Sequence, residues 1–223
     1  MKSTATHYLG YLAFALLGLI WGTNFIFTKW AAVYITPGQI VFLRVLCGFL
    51  PLLVFALVRK ALRWQHLRHA PHFLVMAILA TAFYYYAFAK GTGLLLSSVA
   101  GMLSGAIPLF TFVTALVFLR DEPLNRRTAL GIFFGFIGVL LIARPWAAAS
   151  AGINPEGVMY MVLGSLSVGC SFVYAKRFLT GLDIPVLALT TYQIGFALPI
   201  IALVTDLQGV QGVECSNHSV PTN

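Results

Sequence analysis

Residues 22–29 read GTNFIFTK, and residues 169–176, 147 positions later, read GCSFVYAK. The glycine, the phenylalanine and the lysine coincide, and the Asn/Ser, Ile/Val and Phe/Tyr pairs are similar in kind. A second match follows at an offset of 148, because Pro37 and Pro51 correspond to Pro185 and Pro199. Two matches at nearly the same offset predict an internal repeat rather than a coincidence.

Both copies of this repeat lie within long apolar runs. The chain of 223 residues is 60% hydrophobic and only 9% charged, and its mean hydropathy is +0.90. A soluble domain carries about 25% charged residues, so the composition indicates a membrane protein. Membrane barrel strands alternate apolar and polar residues, whereas these runs are unbroken. The predicted fold class is therefore an all-α integral membrane bundle that is surrounded by the lipid bilayer.

About 20 apolar residues cross the hydrocarbon core as a helix. Seven segments fit this length, at residues 9–28, 38–58, 72–89, 95–119, 128–143, 157–175 and 185–204. The first run is too long for a signal peptide and has no cleavage site, so we expect it to remain as a membrane helix. Helix starts are predicted at Thr36-Pro37 and, in a similar pattern, at Asp183 with Pro185. Three glycine pairs predict close helix contacts: Gly18/Gly22, Gly101/Gly105 and Gly131/Gly135.

The basic residues predict the orientation. Ten of the 14 fall on one side of the predicted membrane, mostly in the loops after the second and fourth helices and at the end of the sixth. Lys29, Lys90 and Arg144 fall on the other side, and Arg44 lies within the second helix. By the positive-inside rule the ten-residue side is cytoplasmic, so the N-terminus is expected inside and the C-terminus outside.

Five helices separate the two copies of the repeat, and five is an odd number. The second copy must therefore cross the membrane in the opposite direction, as in the inverted repeats of secondary transporters that work by alternating access. We predict a first five-helix repeat at residues 10–145, two helices of a second repeat at 156–204, and a polar tail at 205–223. About seven of an expected ten helices are then present.

Two five-helix units at this offset need roughly 295 residues. The sequence thus predicts a chain that is truncated, or whose reading frame was lost near Gly209–Cys215. The sequon Asn217-His218-Ser219 is expected to be accidental. Two alternatives to a transporter follow: a membrane remnant that does not transport, and, less favoured because of the inverted repeat, a seven-helix receptor. A homodimer is a further expectation, because a second copy of opposite orientation could supply the missing wall.

The motifs of the first repeat resemble the drug/metabolite transporter superfamily, specifically its EamA-type ten-helix carriers. They are the stretch Trp21–Lys29, Pro37 with Arg44, the stretch Ser104–Phe110, Glu122, and the glycine-rich helix from Gly131 to Gly138. The resemblance covers residues 10 to about 205. It implies a multi-pass carrier in a bacterial inner membrane that moves small metabolites such as amino acids.

Three residues of the first two predicted helices are candidate substrate-binding residues. Asn24 lies near the middle of its helix, where an amide either lines a cavity or bonds a neighbouring helix. Trp21 lies one turn away, where its ring either lines the same cavity or only packs against neighbouring side chains. Arg44 lies about 10 Å deep at 1.5 Å per residue, where an arginine has water, a partner or a ligand, or else extends back to the surface.

Four more candidates come from the later helices. Lys90, together with Lys29 and Arg44, could attract a carboxylate-bearing substrate, although cations at helix ends also serve as interfacial anchors. Tyr84, Tyr85 and Tyr86 spread over about 200° of helix surface, and Tyr85 is the one assigned to the site. Ser104 lies one turn before Pro108. A proline in a membrane helix leaves one backbone carbonyl without its hydrogen bond, and this carbonyl either contacts substrate or reflects a kink that serves helix packing alone. Ser171 corresponds to Asn24 in the repeat.

Other function classes are disfavoured. The basic residues form short clusters between apolar runs and no nucleic-acid-binding face. Enzyme signatures are absent, and the three cysteines have no metal-ligand spacing, so we expect no catalytic residues, no metal and no cofactor. The six acidic residues lie at loops or helix ends, which leaves no carboxylate for a proton relay in the membrane. The expected partner is a small-molecule substrate.

Overall fold

The computed structural model describes residues 3–119, 126–143 and 153–206. Their regular structure is helical. We number the long helices α1 (Ser3–Ala31), α2 (Pro37–Val58), α3, α4, α5 (Arg126–Ala143), α6 and α7 (Val186–Val204). α3 joins Ala70–Ala77, a π-helical turn at Ile78–Ala82, and Phe83–Leu94, and a 3-10 helix at Trp64–His69 precedes it. α4 joins Ser97–Ser104 to Ile107–Phe118, and α6 runs over Pro155–Tyr174 into a π-helical turn at Ala175–Leu179.

Each of the seven predicted segments is a helix in the structure. Six helices of the described part are long and apolar enough to cross a membrane, and Ala129–Ile142 of α5 is a shorter apolar helix. The prediction of an all-α membrane bundle is confirmed. The helix ends differ from the predicted ones by a few residues, most at the start of α1, which begins at Ser3, and at the end of α3, which continues to Leu94.

The predicted helix starts had different outcomes. Thr36 forms a complete capping box, because its hydroxyl accepts from the Gln39 amide while the Gln39 side chain accepts from the Thr36 amide. The cap predicted at Asp183 is wrong, since α7 begins after Pro185 without a side-chain cap. Asn154, which was not predicted as a cap, accepts hydrogen bonds from the amides of Glu156 and Gly157.

α3 is the central helix, and it packs against α1, α2, α6 and α7. One apolar cluster, around Phe25, Phe88 and Met161, joins α1, α3, α4 and α6. A second, around Val41 and Ala197, joins α2, α3 and α7. By contrast, most large side chains of α1 from Gly10 onward are exposed, so this part of the helix is anchored along a single face.

The π-helical turn of α3 is held by polar side chains of two neighbouring helices. Ser167 of α6 donates to the Leu79 carbonyl over 2.8 Å, and Gln193 of α7 donates to the Thr81 hydroxyl over 3.0 Å. A π turn disturbs the regular backbone hydrogen bonds of a helix. These two side chains therefore supply partners at a position where lipid could supply none.

Of the glycines in the predicted pairs, Gly135 makes a close helix contact, since a Cβ atom there would lie 2.5 Å from the Leu109 side chain. The other close contacts occur at glycines that the pair pattern did not select. A Cβ atom on Gly169 would lie 2.8 Å from the Thr111 amide nitrogen, and one on Gly164 would lie 2.6 Å from the Phe88 ring. At Gly18 and Gly22, in contrast, nothing would lie within 4 Å of an added Cβ atom. α6, not α1, is therefore the closely packed small-residue helix of the described part.

Contacts at the helix ends give the relative directions. Lys29, near the end of α1, donates to the Gly93 carbonyl near the end of α3 over 2.6 Å, so α1 and α3 run in parallel. Lys90, in the last turns of α3, pairs with Glu156 at the start of α6, so α6 runs the opposite way. α1 and α6 are thus antiparallel, as an inverted repeat requires. The repeat itself and the boundaries 10–145, 156–204 and 205–223 stay predictions, and Glu122 and residues 207–223 lie outside the described residues.

Candidate functional site

A cavity of about 120 Å³ lies between α1, α2 and α3. It is on the half of the bundle that is farther from residues 59–69. Its wall is mostly aromatic and aliphatic, with a small number of polar groups. The polar and aromatic side chains that line it are Trp21, Asn24, Phe25, Thr28, Arg44, Tyr84, Tyr85, Phe88 and Thr92. Four of the seven predicted site residues, Trp21, Asn24, Arg44 and Tyr85, thus lie together although they come from three helices.

Arg44 is the charged group of this cavity. Its Nη2 donates to the Asn24 side-chain oxygen over 2.5 Å, and its Cζ lies 5.0 Å from the Tyr85 ring centroid. The single ion pair among the described residues is the one between Lys90 and Glu156, so no carboxylate neutralises Arg44 there. A guanidinium carries five N–H groups, and the Asn24 bond occupies one. Arg44 is therefore held in place with donors left for an anionic ligand.

The tyrosine run divides between two faces of α3. Tyr84 is buried against Phe88 and Tyr85, with ring centroids 4.6 and 5.0 Å away. Tyr85 lies beneath the Arg44 guanidinium, whereas Tyr86 points to the α6 side, where its ring centroid is 6.5 Å from that of Tyr160. Tyr84 therefore joins the cavity, although the sequence had singled out Tyr85 alone.

Lys90 lies outside this cavity. Its Nζ is 3.1 Å from Glu156 Oε1, donates to the Tyr160 hydroxyl over 3.0 Å, and lies 4.5 Å from the Tyr160 ring centroid. All three contacts are with α6. The structure thus gives Lys90 a partner between helices, and its predicted contact with substrate stays a prediction that this geometry does not support. The missed residue is Glu156, whose position in the first turn of α6 was the available signal.

The two serines also lie apart from Arg44. Ser104 donates to the Gly101 carbonyl over 2.6 Å at the break between the two parts of α4, and Pro108 lies in the first turn of the second part. Ser171 is buried and donates to the Val168 carbonyl over 2.7 Å within α6. Both hydroxyls are satisfied by their own helices, and neither lines the cavity. Their substrate-binding role stays a prediction.

The cavity offers chemistry suited to binding rather than to catalysis. A fixed guanidinium can bind a carboxylate through two parallel hydrogen bonds, and aromatic faces can hold a planar or cationic group. Among the described residues no three His, Cys, Asp or Glu side chains come together as a set of metal ligands.

Curated proteins that resemble this chain are named as transporters. It is 26% identical to the uncharacterized transporter YdfC of Bacillus subtilis over 186 aligned residues. This alignment covers 83% of this chain and 58% of YdfC. An uncharacterized transporter of Archaeoglobus fulgidus is 23% identical over 170 residues, with 76% and 58% covered. The S-adenosylmethionine uptake transporter of Rickettsia prowazekii is 24% identical over 181 residues, with 80% and 58% covered.

This chain therefore spans about 58% of the length of these relatives. No solved structure matches it at a comparable level of significance. The model of the EamA-like transporter family matches residues 8–144, which is more than half of the chain and includes α1 to α5. Together with the helical bundle and the transporter names of its relatives, this match shows that the chain belongs to the EamA-like transporter family of the drug/metabolite transporter superfamily, whose members are membrane transporters and not enzymes.

Proposed function

We propose that the cavity around Arg44 binds the carboxylate of a small metabolite, an amino acid or a related compound, which the protein moves across the membrane by alternating access. The observation that carries this proposal is the position of the Arg44 guanidinium. It lies in a membrane helix, is oriented by Asn24 and Tyr85, and has no carboxylate partner among the described residues. A positive charge at this depth is costly unless water, a partner or a ligand meets it.

The aromatic wall supports a substrate with a second recognisable group. Trp21, Tyr84 and Tyr85 line the same cavity as the guanidinium, and aromatic faces attract cations and stack with planar rings. The Rickettsia relative is named for S-adenosylmethionine uptake. That compound carries an amino-acid carboxylate, which suits the guanidinium, and a sulfonium cation and an adenine ring, which suit the aromatic faces. We propose carboxylate-bearing metabolites as the class and treat S-adenosylmethionine as one candidate.

The helix directions support alternating access. α1 and α6 run in opposite directions and carry the two copies of the repeated octapeptide. Two halves of opposite orientation can exchange roles, which gives inward-open and outward-open states of similar energy. We further propose a bacterial inner-membrane location with a cytoplasmic N-terminus, as the distribution of the basic residues favours.

The test is uptake into proteoliposomes containing the purified chain, with a panel of labelled amino acids and S-adenosylmethionine. A substrate that is transported is then compared with its decarboxylated analogue. Arg44→Gln should reduce transport of the carboxylate form by ten-fold or more, on the scale of one lost charge-assisted contact, and should leave transport of the analogue little changed. Arg68→Gln is the matched control, because it removes the same charge from an exposed residue outside the cavity.

Membrane levels decide how a loss of transport is interpreted. If Arg44→Gln is inserted normally and transports the carboxylate form as well as the unchanged protein does, Arg44 is not in the substrate site. If the variant disappears from the membrane, its role is structural.

A further inference from the structure

A second cavity lies at the opposite end of the bundle from the Arg44 guanidinium. It has a volume of about 620 Å³ and lies between the end of α2, the segment that leads to α3, and the start of α7. Its polar wall consists of Arg59, Lys60, Arg63, His66 and Asp183. We propose that this cavity binds the phosphate of an anionic phospholipid headgroup.

The charge of the cavity favours an anion. Three cationic side chains, of Arg59, Lys60 and Arg63, face one carboxylate, that of Asp183. None of the four is in an ion pair among the described residues, where Lys90 and Glu156 form the single pair. Arginine binds phosphate through two parallel hydrogen bonds, and lysine binds it as a point charge. An incoming phosphate would therefore meet uncompensated positive charge.

His66 supplies a second, independent observation. Its side chain is 8% exposed, and its Nδ1 is buried without a hydrogen-bond partner. The ring is held edge-on against Tyr192, with centroids 6.1 Å apart, and the Tyr192 hydroxyl donates to the Arg63 carbonyl over 3.0 Å. Buried polar atoms are rarely left without a partner. A phosphate oxygen would accept from Nδ1 in the tautomer that carries its proton there.

The backbone at Lys60 is a third observation. Lys60 has a φ of +50°, in the left-handed region. Its amide donates to the Leu57 carbonyl, and the Ala61 amide donates to the Ala56 carbonyl, both over 3.0 Å. This is the hydrogen-bond pattern that ends a helix with a glycine in the left-handed position. A lysine here is strained relative to glycine, and strained residues cluster where the side chain has a role.

The surroundings favour a lipid over a free phosphate. The cavity lies at helix ends, at the level where headgroups lie, and Phe55 and Leu187 form its apolar wall. Val58 and Val186 are exposed beside it, so an acyl chain can follow the helices away from the phosphate. Trp64 is 87% exposed at the same end, a position typical of interfacial tryptophans. One ligand with a phosphate and an apolar tail matches all of these surfaces.

The test is native mass spectrometry of the purified chain with dioleoylphosphatidylglycerol and, in parallel, with dioleoylphosphatidylcholine. We expect retention of phosphatidylglycerol in preference to phosphatidylcholine. Arg63→Gln should weaken phosphatidylglycerol binding about fivefold, the scale of one basic residue at an anionic surface. Arg68→Gln, with the same charge change in the same segment but outside the cavity, should leave it unchanged.

Two further variants keep the proposal testable if Arg63→Gln fails to fold. Lys60→Gly relieves the strained backbone, so its melting temperature should be maintained or raised while phosphatidylglycerol binding falls. Asp183→Asn removes the carboxylate of the cavity and should strengthen binding, which no loss of folding can imitate. Equal binding of both lipids, equal effects of Arg63→Gln and Arg68→Gln, or displacement of the lipid by millimolar inorganic phosphate would each overturn the proposal.

Discussion

Lys90 Nζ lies 3.1 Å from Glu156 Oε1, and this ion pair joins the end of α3 to the start of α6. The Tyr160 hydroxyl accepts from the same ammonium over 3.0 Å. α3 belongs to the predicted first repeat and α6 to the second. The pair is therefore a contact between the two predicted halves, on the side of the bundle that holds the Arg44 cavity.

We predict that Lys90 and Glu156 stabilise the protein as a unit. Lys90→Met and Glu156→Gln should each lower the melting temperature. The double variant should lower it no further than Lys90→Met does, since that change already removes the contacts with both Glu156 and Tyr160. Thermal unfolding of the purified protein measures this. The proposed substrate role of Lys90 makes a different prediction, namely that Lys90→Met abolishes transport while Glu156→Gln leaves it intact.

Gly169 should tolerate no side chain. A Cβ atom there would lie 2.8 Å from the Thr111 amide nitrogen and 3.0 Å from the Phe110 carbonyl carbon, and backbone atoms cannot move aside as a side chain can. Gly169→Ala should therefore destabilise the protein by about 1–3 kcal/mol, the usual cost of overpacking. Thermal unfolding again provides the measurement.

The control is Gly18→Ala, because nothing lies within 4 Å of a Cβ atom at that position. Alanine is also the better helix former by about 1 kcal/mol. Gly18→Ala should leave stability unchanged or raise it. If the two variants melted at the same temperature, α6 would not pack against α4 as the structure has it.

The Arg44 and Asn24 pair can be tested by adding a charge. Asn24→Asp places a carboxylate where the amide oxygen now lies, 2.5 Å from Arg44 Nη2. This carboxylate would compete with that of the substrate, so we expect KM for a carboxylate-bearing substrate to rise about tenfold or more, with no loss of stability. Asn24→Leu is the comparison: it frees the guanidinium and leaves it positive, and should raise KM less. An unchanged KM in Asn24→Asp would place the substrate elsewhere.

The sequence predicted the helices well because each depends on its own composition. Apolar runs located all seven, and the Thr36 capping box depends on residues only three positions apart. The contacts between side chains of different helices could not be predicted in this way. Asn24, Arg44 and Tyr85 were each predicted for separate reasons, and their meeting depends on the rotation of three helices about their axes, which no single segment determines.

The same limit explains the misses. Glycine spacing shows where close contact could occur, but it does not show which face of a helix meets a neighbour. Gly135 of the predicted pairs is therefore packed while Gly18 and Gly22 are not, and the packed Gly164 and Gly169 were not predicted. The ion pair of Lys90 was not predicted, because its partner Glu156 lies 66 positions further along the chain. The π-helical turn of α3 has no local signature either, since its stability depends on Ser167 and Gln193.

The last prediction concerns membrane orientation. Ten of the 14 basic residues belong to the side that holds residues 59–69, so this side should be cytoplasmic. Trp64 and Tyr34 lie at opposite ends of the bundle and are 87% and 78% exposed, so both are suitable for labelling. In a background where Cys47, Cys170 and Cys215 are replaced by serine, Tyr34→Cys should react with an impermeant maleimide in intact cells. Trp64→Cys should react only after the membrane is permeabilised. The reverse pattern would contradict the predicted orientation. Equal labelling of the two cysteines in intact cells would show that the protein inserts in both orientations. The charge bias argues against this result, whereas an antiparallel homodimer would require it.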